Sequence, residues 1–219
     1  MAEKFEIPKR FSREWWEYMW DCYNWHFIIT AVIVFFVCLM GYKMTHKTTY
    51  DMRIIAAGNF QITYEQEDEY CRLVKESVKD FDGNGKITTY TPVYFLNDAF
   101  SHDEMENYNT YSQKLYIDAV SQENVLYIFD KSIAERFLRE EPEGFLPVEK
   151  WVENADSYET VSAENEIAYG VSLKESSLFK QCKIDGSEFF VLVRDIRSED
   201  EKIMKNAENA IEYAKELIK

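Results

Sequence analysis

Histidine and cysteine are scarce in this chain, at three and four residues out of 219. The cysteines, Cys22, Cys38, Cys71 and Cys182, form no CxxC pair, which removes the usual zinc and thioredoxin-like spacings. His26 and His46 flank an apolar run, so only His102 is left for a hydrolytic set, and there is no GxSxG, HExxH or phosphate-loop motif. Carboxylates number 40, too many to single out a pair. The chain is therefore expected not to be an enzyme, and no catalytic residue is assigned. No Lys/Arg cluster stands out against a formal charge of −15. A nucleic-acid binder needs such a footprint to displace counterions, so nucleic acid is excluded as a partner. Internal repeats and low-complexity stretches are also missing.

Charged residues are absent from the 21 positions Cys22 to Tyr42, and Phe27 to Tyr42 (FIITAVIVFFVCLMGY) is almost wholly apolar. At about 1.5 Å per residue the run covers roughly 31 Å, enough to cross a hydrocarbon core of about 30 Å. A core helix of a soluble domain would keep a polar stripe, and this one is apolar all round. A cleaved signal peptide fits poorly, since five acids (Glu3, Glu6, Glu14, Glu17, Asp21) precede the run and no small-x-small site follows Met40. Phe35, Phe36 and Val37 are too bulky before Cys38 for lipoprotein processing. The helix is expected to be an uncleaved signal anchor over residues 25–43. Lys4, Lys9, Arg10 and Arg13 precede it and Lys43, Lys47 and Arg53 follow it, which places the N-terminus in the cytoplasm and the large domain outside by a margin of one. Residues 1–44 hold five acidic and five basic side chains, so the net charge belongs to residues 45–219 and serves solubility.

Within residues 1–24, Trp15, Trp16, Met19, Trp20 and Tyr23 recur at helical spacing opposite Arg13, Glu14, Glu17 and Asp21. This predicts an interfacial helix on the inner leaflet that runs into the span near Trp25. A polar linker (44–50) leads to the domain at 51–219. There, strand-like segments at 52–60, 86–96, 125–129, 167–173 and 188–194 alternate with helices. Capping boxes at Thr63/Gln66, Ser132/Glu135 and Ser198/Glu201 open three of those helices, and a fourth is expected from about Asn109 to Gln122. Tyr70, Cys71, Val74 and Val78 share one helical face, as do Ile203, Ala207, Ala210, Ile211, Ala214 and Ile218. The alternation predicts an α/β fold: one mainly parallel, doubly wound sheet with helices on both faces.

Three stretches carry a resemblance: IIAAGNF in the first strand, DFDGNGKI before the second, and YGVSL followed by SSLF. Together they resemble one lobe of a type 2 periplasmic solute-binding protein, in which a Tyr-Gly/Ala-Val-Pro-Leu stretch is common; Ser172 stands here in place of the proline. The whole layout, including IPKRFSREWW before the helix, resembles an uncharacterised group of single-pass membrane proteins of Gram-positive bacteria. The resemblance implies an extracytoplasmic domain related to transporter solute-binding proteins.

Two local signals point to sites. In DFDGNGKI, Asp80, Asp82 and Asn84 fall at positions 1, 3 and 5 of an EF-hand calcium loop, Gly85 at its turn, and Lys86 at position 7, where a backbone carbonyl serves. Position 12 is Thr91 instead of the bidentate Glu. Two readings stand: a calcium site no tighter than about 10⁻⁴ to 10⁻³ M, or a tight Gly/Asn turn. No other cofactor is expected. The second signal is the crevice at the carboxyl ends of the first and third strands, where a doubly wound sheet binds ligands; it would collect Gly58, Asn59, Asp130, Lys131 and Ser132. Cys71 and Cys182 are left either paired or free. The expected function is a membrane-anchored, non-catalytic interaction or binding module with the bilayer and a protein partner, or a copy of itself, as contacts. The alternative is a solute-sensing lobe that completes its pocket with another subunit.

Overall fold

The computed structural model of the protein describes residues 9–45, 50–59, 62–81, 83–96, 102–121 and 124–219. The chain divides into two units, Met1–Thr48 and Thr49–Lys219. Residues 46–49 of the expected linker (44–50), Phe60 at the end of the first predicted strand, Asp82 and Gln122 lie outside the described residues.

The first unit is one helix, α1 (Arg13–Thr45), of 33 residues. Ser12 opens it by accepting the Trp15 N–H at 3.1 Å, and no proline or glycine interrupts it before Gly41. The helix therefore passes through Trp25 unbroken. The expected interfacial segment is coaxial with the apolar run: Trp16, Trp20 and Tyr23 stand exposed on the same rod as Tyr23–Lys43, the one stretch among the described residues long and apolar enough to cross a membrane. At about 1.5 Å per residue the rod is roughly 50 Å long, against about 40–45 Å for a bilayer with its headgroups.

The second unit is an α/β sandwich on a seven-stranded sheet. Its elements are β1 (Met52–Gly58), α2 (Tyr64–Ser77), β2 (Thr89–Tyr90), β3 (Val93–Phe95), α3 (His102–Val120), β4 (Leu126–Asp130), α4 (Lys131–Glu140), β5 (Thr160–Ser162), β6 (Ala168–Ser172), α5 (Ser177–Gln181), β7 (Phe189–Val193) and α6 (Glu201–Leu217). The order β2-β1-β4-β7-β6-β5, with β3 continuing the line of β2 beside β1, divides the sheet. β1 pairs in parallel with β2, β3 and β4, whereas the β4–β7, β7–β6 and β6–β5 pairings are antiparallel. The sheet is mixed: the parallel arrangement expected from strand–helix alternation holds only across α2 and α3, whereas α4 leads to β5, which runs opposite to β4. The β6–β7 link holds only the five residues of α5 and returns the chain antiparallel. The expected strand at 86–96 is split at Pro92, which has no N–H to give the ladder, although its carbonyl still accepts the Ala56 N–H at 3.0 Å.

Helices cover both faces because the central strands are apolar on both sides, as strands buried twice over must be. Ile54, Ala56, Leu126, Ile128, Val191 and Val193 meet Tyr70 and Val74 of α2 and Ala210 and Ala214 of α6. On the opposite face Ile55, Ala57, Phe129, Phe190 and Leu192 meet Leu115 of α3 and Leu138 of α4. Each Val, Leu, Ile or Phe among them contributes about 1.5–3 kcal/mol by leaving water. The Thr63/Gln66 capping box is present, and Gln66 Nε2 also donates to the Lys183 carbonyl at 2.9 Å, tying α2 to the chain after α5. The other two boxes are replaced. Asp130, not Ser132, caps α4, and Ser198 Oγ accepts the Asp200 N–H at 3.1 Å. Cys71 and Cys182 are both free thiols.

Candidate functional site

The expected crevice is assembled around one carboxylate. β1 and β4 lie side by side with Ala57 opposite Phe129, which sets Gly58 against Asp130. Asp130 Oδ1 accepts the Ile133 N–H at 2.8 Å and the Ser132 hydroxyl at 3.0 Å, and Oδ2 accepts the Asn59 N–H at 2.9 Å. Gly58, Asn59, Asp130 and Ser132 are thus brought together. Lys131 is turned to β7 by its backbone, whose N–H reaches the Glu188 carbonyl at 3.1 Å. The approach is tight, since a Cβ on Gly58 would lie 2.9 Å from the Asp130 side chain. Both carboxylate oxygens are engaged in joining the strand ends and starting α4, so the arrangement works as a clasp.

The DFDGNGKI loop is closed by its own side chains. Asp80 accepts the Gly83 and Gly85 N–H groups, each at 2.8 Å, and Asn84 Oδ1 accepts the Lys86 N–H at 2.8 Å. Gly83 and Gly85 have φ of +72° and +78°, values that L side chains resist. Asp82 is outside the described residues, and among those described no group of three His, Cys, Asp or Glu is placed to hold a metal ion. Asp51, 3% exposed, pins both ends of the loop: Oδ1 accepts the Phe81 N–H at 3.0 Å and Oδ2 the Thr88 N–H at 2.7 Å.

A third constellation gathers at the other end of β4, where α3 runs out. The hydroxyls of Tyr90 and Tyr94 donate to Asp118 Oδ2 at 3.1 and 2.5 Å. Burial first, and then these contacts to Asp118, hold the Tyr94 phenol well above its ordinary pKa. Tyr127, buried in β4, donates to the Ala119 and Asn124 carbonyls, each at 3.3 Å; burial raises its pKa and the nearby Arg194 opposes the rise. Arg194, just past β7, donates through Nη1 to the Ala119 carbonyl and, at 3.2 Å, to the Tyr127 hydroxyl. A guanidinium at the carboxyl end of α3 is favoured by the partial negative charge there.

Two clefts adjoin Arg194. One, of about 230 Å³, is walled by Tyr116, Phe137 and Phe145 with Glu140 and Glu141. The other, of about 370 Å³, shares Arg194, Glu141 and Gly144 and adds Glu143, Ile196 and the ion pair of Asp195 with Arg197 at 2.7 Å. The sequence alone does not point to this place. Its one signal was an arginine ending a buried strand (EFFVLVR) in a strongly acidic chain; the partners come from α3, α4 and the turn at Pro142–Gly144, far apart in sequence. The lining offers no nucleophile beside a base, and chemically it can hold an anion next to an apolar group. Comparison with protein-family models, with curated proteins and with solved structures finds no match.

Proposed function

We propose that the protein is a membrane-anchored, non-catalytic binding module: α1 is a single-pass signal anchor with its N-terminus in the cytoplasm, and the acidic α/β domain works outside through its surface. The observation that carries this is the pairing of an apolar helix over Tyr23–Lys43, none of whose spanning window is buried in the protein, with a separate compact unit whose core faces are filled and whose helices α2 and α4 carry side-chain caps. Trp16, Trp20 and Tyr23 then sit at headgroup depth, where amphipathic rings are favoured. Helix α2 on one face and α3 and α4 on the other support reading the β2-β1-β4 part of the sheet as doubly wound. The bilayer and a protein partner are its contacts. The test is threefold: alkaline carbonate washing of membranes, protease added to intact cells, and cross-linking on those cells followed by identification of what is attached. Retention in the pellet, loss of everything beyond about Tyr50 and a defined cross-linked partner are expected. Release by carbonate refutes the anchor, full protection in unpermeabilised cells reverses the topology, and a domain that cross-links to nothing refutes the interaction role.

A further inference from the structure

Arg194 uses only one prong of its fork. Both hydrogen bonds leave from Nη1, whereas arginine carries five N–H donors in a fixed plane. The Nε–Nη2 edge, which matches a carboxylate bidentately, has no partner among the described residues. Four other arginines, Arg13, Arg72, Arg139 and Arg197, each stand within 4.0 Å of a carboxylate. Arg194 does not, although Glu140, Glu141 and Glu143 line the same clefts. Beside it are a pocket with aromatic walls, smaller than the roughly 300–1,000 Å³ of drug-sized sites, and an adjoining cleft in which Asp195 is paired with Arg197 while Glu141 and Glu143 are in no ion pair among the described residues. Tyr116 on α3, which lines the smaller cleft, adds apolar surface that is 62% accessible.

We propose that this groove captures the carboxyl terminus of a partner polypeptide, an assignment that rests on reading the domain as an interaction module. The terminal carboxylate takes the free edge of Arg194, and an apolar last side chain enters the smaller cleft against Phe137 and Phe145. The residues before it, bearing lysine or arginine, run along the larger cleft past Glu141 and Glu143. A dianionic phosphate would meet repulsion from those acids. An internal Asp or Glu brings a carboxylate without an apolar group on the same residue, and a free amino acid leaves the larger cleft empty.

The test uses the full-length protein in detergent micelles and a dye-labelled Lys-Lys-Ala-Phe peptide, made with a free carboxylate and as the amide, with binding read by fluorescence anisotropy. The acid form should bind at least about tenfold tighter than the amide, the loss expected for a hydrogen-bonded charge. Arg194→Lys should bring the acid down toward the amide, and the double change E141Q/E143Q should weaken both forms and flatten their salt dependence. Tyr116→Asp, a change at an exposed position that does not threaten folding, should weaken the acid form. Equal binding of acid and amide overturns the proposal. So does complete displacement of the peptide by an equal concentration of free L-phenylalanine, which would make the ligand a free amino acid. If the titration fails while cross-linked partners persist on cells, this groove alone is refuted; if both fail, the interaction role goes with it.

Discussion

Replacing Asp130 by alanine separates a clasp from a ligand-binding residue. The side chain, 9% exposed, accepts three hydrogen bonds, from Ile133 and Asn59 backbone N–H groups and from the Ser132 hydroxyl. Loss of an N-cap costs about 1 kcal/mol. Loss of the bond from Asn59 to a charged acceptor costs about 1.5 kcal/mol, the low end of the usual range because Asn59 is exposed to water. Asp130→Ala should therefore lower stability by about 2–3 kcal/mol. With a urea slope of about 2 kcal/mol/M for a domain of this size, the midpoint falls by roughly 1 M. Asp130→Asn keeps the cap, since Asn and Asp are equivalent there, but offers one acceptor oxygen in place of two, so it should lose about half as much. The assay is urea unfolding of residues 49–219, which form their own compact unit, with amide exchange at Ile133 and Asn59 as local reporters. In Asp130→Asn, exchange should quicken at Asn59 and stay slow at Ile133. An alanine variant within about 0.5 kcal/mol of the parent, or an asparagine variant that falls equally far, would refute the clasp and return Asp130 to the candidate ligand residues.

Alkaline stability follows from the buried tyrosines. Burial pushes Tyr213 up to about 12, relieved only in part by the Ser77 hydroxyl, so below pH 10 it is protonated in both states; as pH rises from 10 toward 12 the unfolded chain ionises first and stability falls by about 2–3 kcal/mol. Tyr213→Phe should flatten that fall in urea unfolding followed across pH, and an unchanged slope would refute it. Cys182 is raised to about 11, chiefly by burial and secondarily by Glu69, so iodoacetamide at pH 8 should leave it unlabelled in the native domain and label it in urea; rapid native labelling would contradict this. Asp51→Ala should cost about 3 kcal/mol, because it strands the Phe81 and Thr88 N–H groups at the ends of the Asp80 loop. A change below about 1 kcal/mol would show that water replaces the carboxylate.

What could be read along the chain was local. The Thr63/Gln66 box, the apolar run of β1 and the face of α2 each depend on residues within one or two turns, and each is present. At α4 two capping residues compete, and Asp130 prevails over Ser132 because Asn59, some 71 positions away, also needs its carboxylate. α3 begins at His102 instead of Asn109; as a polar stretch, HDEMEN looks like a loop. The antiparallel half of the sheet had no local signal, since alternation of strands and helices says nothing of direction where the connecting helix is a single short turn. The Arg194 clefts were illegible for the same reason: their walls come from four separate segments, and the arginine differs from its fellows only by what it is not paired with.

β7 is the last strand made and the fourth in sheet order, between β4 and β6. Synthesis proceeds from the N-terminus, so until residues 189–193 leave the ribosome the domain exists as two separate pieces: a parallel half with its helices and a β5–β6 hairpin. During that interval β4, whose five residues are all buried in the finished domain, carries an open edge of the kind that invites mispairing. A pause or truncation shortly before Phe189 therefore yields not a slightly shortened domain but a split one, already attached to α1 and exposed to chaperones and proteases. Completion of the whole sheet is timed by the arrival of its final strand.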